Sequence, residues 1–505
     1  MRRVLTLAIG IVLIATAGAS ASTPGVDVRL SHDCLNLTGD PFADPIAQPV
    51  ACTGGGYVSA YTLATGTPYT DKVLDECSVA RGRQNEPSVA VNPRDTRVLI
   101  GSSNDYCGVF ANGLSATGPV WLGYYRSEDS GSSFRSSLVP GYPDDTSPFA
   151  PLAHVRTSGA GDPVIAWDTH GRVFMGAESS GDPSGTKAWG DVWVARFENP
   201  DGPAGNTLND GKLFGGSETV AQGGSSFSGK FHDKTAIEVD RTGGRCDGNV
   251  YFSWSRFTGA SSVGFNASVY FVRSTDHGVT FSSPVKLSQT VHDIQFPDIA
   301  VTGNGNVYIT FRQFESVPGQ EEEDSIFYVK STDCGATFSD PQLIAEFTPY
   351  DPTDIADPQP IPSPASPEKG PAGESPENEA GPAQGERTVD CGDFAFHCES
   401  GYTFARAGTQ IRSAGDAFDP ANEFVYIVYD PTKPGTEVAS GSSFGTIASE
   451  DLPAKLHQRV GSQAGVYFIR LDGSTGTHTA PQLLADHGQN ERGEAEHDQR
   501  QRLPR

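Results

Sequence analysis

The sequence predicts an all-β repeat fold, and three observations carry that prediction. An octapeptide of pattern S-x-D-x-G-x-x-F occurs three times: Ser127, Asp129, Gly131 and Phe134 in the first copy, Ser274, Asp276, Gly278 and Phe281 in the second, and Ser331, Asp333, Gly335 and Phe338 in the third. Each copy lies between two short apolar runs, the arrangement of a β-hairpin turn. The composition agrees, with 58 Gly and 36 Pro against 2 Met, and no long segment keeps apolar residues at helical spacing.

The chemistry of the octapeptide explains its use as a turn. Asp accepts from backbone N–H groups just ahead of it, Gly takes the left-handed conformation, and Phe drops back onto the apolar face. A turn stamped repeatedly on a β-rich chain marks a repeat architecture. The motif resembles the Asp-box, or bacterial neuraminidase (BNR) repeat, of sialidase-like β-propellers, and the resemblance runs over residues 84–485. It implies an all-β, sialidase-like β-propeller of four-stranded antiparallel blades, in a family that has six. It also implies that the octapeptides lie on the side opposite the pocket, as structural turns.

Taken in order, the chain opens with Arg2 and Arg3, an apolar run, and Ala19-Ser20-Ala21 before Ser22. That pattern predicts a signal peptide over 1–21, hence an exported protein in the extracellular medium, with no later membrane span. Residues 22–83 form a loosely patterned lead-in with strands expected at 26–30 and 57–63. The propeller is expected over 84–486. Blade one draws on 88–91, 97–102, 120–125 and 134–139, and blade two on 163–167, 173–177, 192–197 and 212–220. Blade three draws on 235–239, 249–254, 269–273 and 281–287, and blade four on 298–301, 307–311, 326–330 and 338–345. Residues 351–386 are rich in Pro and acids and nearly free of aliphatics, which predicts a disordered insertion. Blade five resumes through 403–406, 424–429, 466–471 and 480–484. Residues 487–505 form a polar tail. Five blades are therefore recognisable, and the sixth is either missing or completed by the segment before Cys77.

Eight cysteines behind a signal peptide predict up to four disulfides, with Cys391 to Cys398 and Cys77 to Cys107 expected from their short separations. No C-x-x-C or H-x-x-x-H pair suggests zinc. The formal charge of −26 argues against nucleic-acid partners. A monomer is expected.

Connections between the first and second strands are short in every blade, and those after the second strand are long. The long connections share one face, so that face should carry the ligand. An acid stands near the start of each inner strand: Glu86, Asp162, Asp233, Asp298 and Asp416. Two readings stand side by side, a carboxylate ring able to take a hard cation such as calcium, or acids that cap strand ends and pair with neighbours. Arg256, Arg312 and Arg412 approach the same face, suited either to gripping a sugar carboxylate or to pairing with those acids.

The resemblance to sialidases implies three arginines on a substrate carboxylate, an aspartate acid/base after the second strand of blade one, and a Tyr/Glu nucleophile pair. Here the first inner strand opens Asn85-Glu86-Pro87 without the family's arginine, Asp105 falls near the acid/base position, and the last blade with its nucleophile is not found. The expected function is therefore binding of extracellular ligands, glycans above all, on the long-loop face without hydrolysis. The alternative is a glycoside hydrolase of exo-α-sialidase type with Asp105 as acid/base. Tyr106, Phe110, Trp189, Trp193 and Tyr429 are candidates to stack on sugar rings, or to fill spaces between blades. Gly441-Ser-Ser443-Phe-Gly445 matches G-x-S-x-G but lacks the strand-to-helix elbow that motif requires.

Overall fold

The computed structural model describes residues 56–78, 84–105, 107, 120–156, 159–179, 190–224, 230–258, 266–314, 324–349, 410–434 and 465–486, together with the strands Asp33–Asn36, Val50–Thr53, Phe404–Ala407 and Gly445–Ala448. The expected signal peptide, the strand at 26–30, the insertion, Cys391, Cys398 and the polar tail lie outside the described residues, as do Tyr106, Phe110 and Trp189.

The chain is all-β and blade-built. Blade one pairs Gln84–Val91, Leu99–Asp105, Trp121–Ser127 and Arg135–Leu138 in that order. Blade two pairs Gly161–Trp167, Val173–Ser179, Asp191–Glu198 and Leu213–Ala221. Blade three uses Lys230–Val239, Val250–Thr258, Asn266–Ser274 and Val285–Lys286. Blade four uses Ile294–Val301, Val307–Gln313, Asp324–Ser331 and Gln342–Phe347. Blade five uses Arg412–Gly415, Phe424–Tyr429 and Gly465–Asp472, with Thr477–His478 and Gln482–Asp486 both pairing to its third strand. Inner strands pack side by side from blade one through blade five, and among the described residues no comparable packing joins the fifth back to the first.

Two expectations are corrected. The inner strand of blade five is Arg412–Gly415, whereas Phe404–Ala407 pairs with Gly445–Ala448 in a separate two-stranded sheet. Arg-Ser-Ala-Gly has almost no apolar pattern, so the more aliphatic-looking run upstream was the stronger sequence signal. The run at 57–63 is not a strand either. It enters a helix, Ala60–Thr65, capped by Ser59, whose hydroxyl accepts from the Thr62 N–H, and closed by Gly66 at φ 73°.

A second helix, Lys72–Cys77, is capped by Asp71. The lead-in therefore adds no blade among the described residues. It braces blade one: Val58 N–H donates to the Ser136 carbonyl on the outer strand, and Cys77 is joined to Cys107 just past the second strand. Another disulfide, Cys246 to Cys334, ties the third octapeptide to the short turn of blade three.

Apolar blade faces fill the spaces between neighbours. Between blades one and two, Tyr124 stacks on Phe197 with centroids 4.5 Å apart and Trp121 on Trp193 at 6.0 Å. Trp193 and Tyr429 are thus buried packing residues and are not placed to stack on a sugar.

The three octapeptides are hydrogen-bonded alike. Each Ser hydroxyl donates to its Asp Oδ1 at 2.9, 2.7 and 2.8 Å and accepts from the Gly N–H at 2.9, 2.7 and 2.9 Å. Each Asp Oδ2 accepts from the hydroxyl four residues on, at 2.6 Å in every copy. Burial raises the Asp333 carboxyl, but these bonds outweigh it and hold the group down to about 2. The glycine answers two demands. At Gly278 φ is 75°, and a Cβ there would lie 2.6 Å from the Phe174 ring of the preceding blade. Replacing Asp276 with Ala is expected to cost about 2 kcal/mol in urea unfolding, since it strands three donors at one turn.

Candidate functional site

The inner strands of blades one to four each break register near their first residues, through a β-bulge between Asn85 and Ser88, Gly161 and Val164, Asp233 and Thr235, and Gln295 and Asp298. The bulged residue takes a left-handed φ despite carrying a side chain: Glu86 at 50°, Asp162 at 50°, Lys234 at 48° and Phe296 at 56°. Such conformations cost on the order of 1 kcal/mol each and collect at working sites. Proline follows three of the four, Pro87, Pro163 and Pro297, and its missing N–H suits a position where the ladder is interrupted.

These bulges gather blades one, two and three at the long-loop end of the inner strands. The Lys234 ammonium lies 3.5 Å from Glu86 Oε1 and 3.5 Å from Asp162 Oδ2. Asn104, buried at the end of the second strand of blade one, accepts the Asp162 N–H at 2.8 Å and donates to Glu86 Oε2 at 3.5 Å. The Asp162 carbonyl accepts the Thr235 hydroxyl at 2.7 Å. Gly161 makes room for the group, because a Cβ on it would sit 3.2 Å from both Asn104 Oδ1 and Glu178 Oε1. Glu86 is the open member, with 31% of its side chain exposed.

The other expected members of the acid ring fall elsewhere. Asp233 precedes its bulge and accepts from Gln295 Nε2 at 3.4 Å. Asp298 follows its bulge, is half-buried, and accepts from the Ser413 N–H of blade five, with Arg412 Nη1 3.8 Å from its other oxygen. Burial raises the Asp298 carboxyl more than Arg412 and Ser413 lower it. Asp416 follows the inner strand, so it lies at the short-turn end and accepts the Phe418 N–H there. A cationic lysine thus stands where the third blade was expected to bring an acid. Among the described residues, no cluster of three or more His, Cys, Asp or Glu is arranged to hold a metal ion.

The three arginines are not brought together. Arg312 is wholly buried against Asp324 and the Phe314 and Phe347 rings, Arg412 is an exposed neighbour of Asp298, and Arg256 lies over Tyr270 with its guanidinium carbon 4.5 Å from the ring centroid. Asp105 is also fully buried. It accepts the hydroxyls of Tyr57 and Tyr125, the Cys107 N–H at 3.0 Å and the Gln84 amide at 3.4 Å. Burial raises its carboxyl despite these donors. Of the G-x-S-x-G stretch only Gly445 is described, and it begins a strand.

Asn104 and Lys234 were passed over as members by sequence reasoning. Proline marks the bulges of blades one, two and four, but Thr235 follows Lys234 and no proline flags that member.

No protein-family model matches this chain, and no curated protein does. Solved structures similar to it include the Penicillium chrysogenum α-L-arabinanase with arabinobiose, at 11% identity and a TM-score of 0.38, covering 80% of this chain and 93% of that one. The Fusarium graminearum GH93 α-L-arabinofuranosidase with arabinobiose aligns at 10% identity and a TM-score of 0.37, covering 80% of this chain and 93% of that one. The Trypanosoma rangeli sialidase aligns at 8% identity and a TM-score of 0.35, covering 81% of this chain and 55% of that one. At such identities and scores, no residue role or substrate carries across.

Proposed function

We propose that this protein is an extracellular carbohydrate-binding propeller that engages its ligand at the long-loop end of the inner strands and does not hydrolyse it. The observation that supports this reading most directly is the Lys234 ammonium shared by Glu86 and Asp162 beside the Asn104 amide. Such a set offers donors and acceptors close together, and each carboxylate oxygen can accept more than one hydrogen bond, so sugar hydroxyls can join it. Charges of both signs neighbour one another there, which suits an uncharged polyol. Hydrolysis of sialidase type would need an accessible acid/base and converging arginines, and Asp105, Arg312 and Arg412 are otherwise engaged.

Calorimetry of the intact protein against a panel of neutral oligosaccharides tests this. At least one member should bind, and Lys234→Met should weaken it about tenfold. Fluorogenic glycosides, sialosides included, should not turn over. Turnover abolished by Asp105→Ala would instead support exo-α-sialidase chemistry, and a panel with no binder would defeat the carbohydrate reading.

A further inference from the structure

A second site lies off the axis, in a crevice of about 350 Å³ between the outer strand of blade two and the face of blade three. Gln222, Lys230, His232, Trp254, Arg256 and Tyr270 contribute to its lining. Its two charged lining residues are both cations, Lys230 and Arg256, in a chain whose formal charge is −26. Asp191, buried at the start of the third strand of blade two, is held by Arg156 through both carboxylate oxygens, with the Gly223 N–H on one of them.

What makes the crevice a built site is its unused polar atoms. Arg256 Nε, Trp254 Nε1 and His232 Nδ1 are all buried with no hydrogen-bond partner among the described residues, and Trp254 and His232 are 0% and 2% exposed. An orphaned buried donor or acceptor is costly, and three lining one cavity are too many to be incidental. Their kinds are informative. Arg256 and Trp254 can only donate. His232 is held neutral, its imidazole pushed down to about 3 first by burial and then by the Arg256 charge. A neutral imidazole carries one N–H and one lone pair, so the unpartnered Nδ1 can meet a hydroxyl in either direction. The Arg256 guanidinium is braced flat on Tyr270.

We infer that this crevice binds a compact oxyanion carried next to a hydroxyl, the pattern of an acidic sugar or another hydroxy acid. The anion is met by Arg256, Trp254 Nε1 and Lys230, and the hydroxyl pairs with His232 Nδ1. Carboxylate and sulfate share this chemistry. None of the group at Lys234, Glu86, Asp162 and Asn104 lines the crevice, so the proposal goes beyond the function above.

Calorimetry of the intact protein with D-glucuronate, glucose 6-sulfate and glucose decides it. One or both acids should bind and glucose should not, and the acid that binds names the anion. Arg256→Gln should weaken that binding about tenfold, and Lys230→Met, at an exposed position where folding is not at stake, about threefold. Lys234→Met should leave it unchanged. The proposal is overturned if neither acid binds at about 10 mM, if glucose binds as well as they do, or if both variants bind with wild-type affinity. None of those outcomes touches the Lys234 site, whose own probes are neutral.

Discussion

Arg312→Met should lower the stability of the propeller by about 3–5 kcal/mol, read as a fall in the urea midpoint with little change in slope. Arg312 and Asp324 are paired with both side chains 0% exposed, on adjacent strands of blade four. Removing the cation leaves an uncompensated carboxylate in the space between blades. The loss of the guanidinium over the Phe314 and Phe347 rings adds to the cost. The double variant Arg312→Met, Asp324→Leu should recover most of the loss, because a buried pair is worth little more than apolar residues of similar size. A ligand-gripping arginine would behave differently, losing affinity without losing stability. Unchanged stability in the single variant would therefore return Arg312 to the binding candidates.

The blades were legible for a physical reason. A strand buried on both faces must be largely apolar, and 307–311 and 192–197, each with one polar residue, announce themselves that way, so the predicted and observed second and third strands differ by a residue or two at most ends. The octapeptide is equally plain because its hydrogen bonds are local, closed within eight residues. What failed was short or context-made. Arg412–Gly415 is a strand only because Phe424–Tyr429 stands beside it. The helix at Ala60–Thr65 is six residues long, too short to be stable alone, and owes its existence to a cap and to packing on blades one and two.

The site was half legible for the same reason. Aligning the inner strands on their acids set Glu86 and Asp162 beside Asp233 and Asp298. Aligning them on the bulge, which proline follows in blades one, two and four and Thr235 follows in blade three, sets them beside Lys234 and Phe296 instead. An extra residue in one strand shifts which side chain reaches a given place, and no periodic pattern marks it. The crevice at Arg256 was not legible, because its members come from two blades and its evidence is the absence of bonds.

Asp105 supplies the other large effect, and it separates a structural carboxyl from a catalytic one. Asp105→Ala should cost about 3 kcal/mol, since the Tyr57 and Tyr125 hydroxyls would both lose a buried acceptor. Because Tyr57 belongs to the lead-in, the variant should also speed proteolysis ahead of blade one, with the Cys77–Cys107 disulfide keeping the cleaved pieces together until reduced. Asp105→Asn keeps the shape and one acceptor, and should lose less than half as much. The pH dependence gives the second readout. Burial raises the folded-state carboxyl above its unfolded value, so its contribution to stability is complete below the ordinary carboxylate range and is lost as pH rises through the raised folded value. Asp105→Asn cannot ionise, so that part of the slope should disappear from its stability curve. If the slope persists in Asp105→Asn, and Asp105→Ala melts with the wild type, the carboxyl is not the buried brace its hydrogen bonds describe, and its place among acid/base candidates is restored.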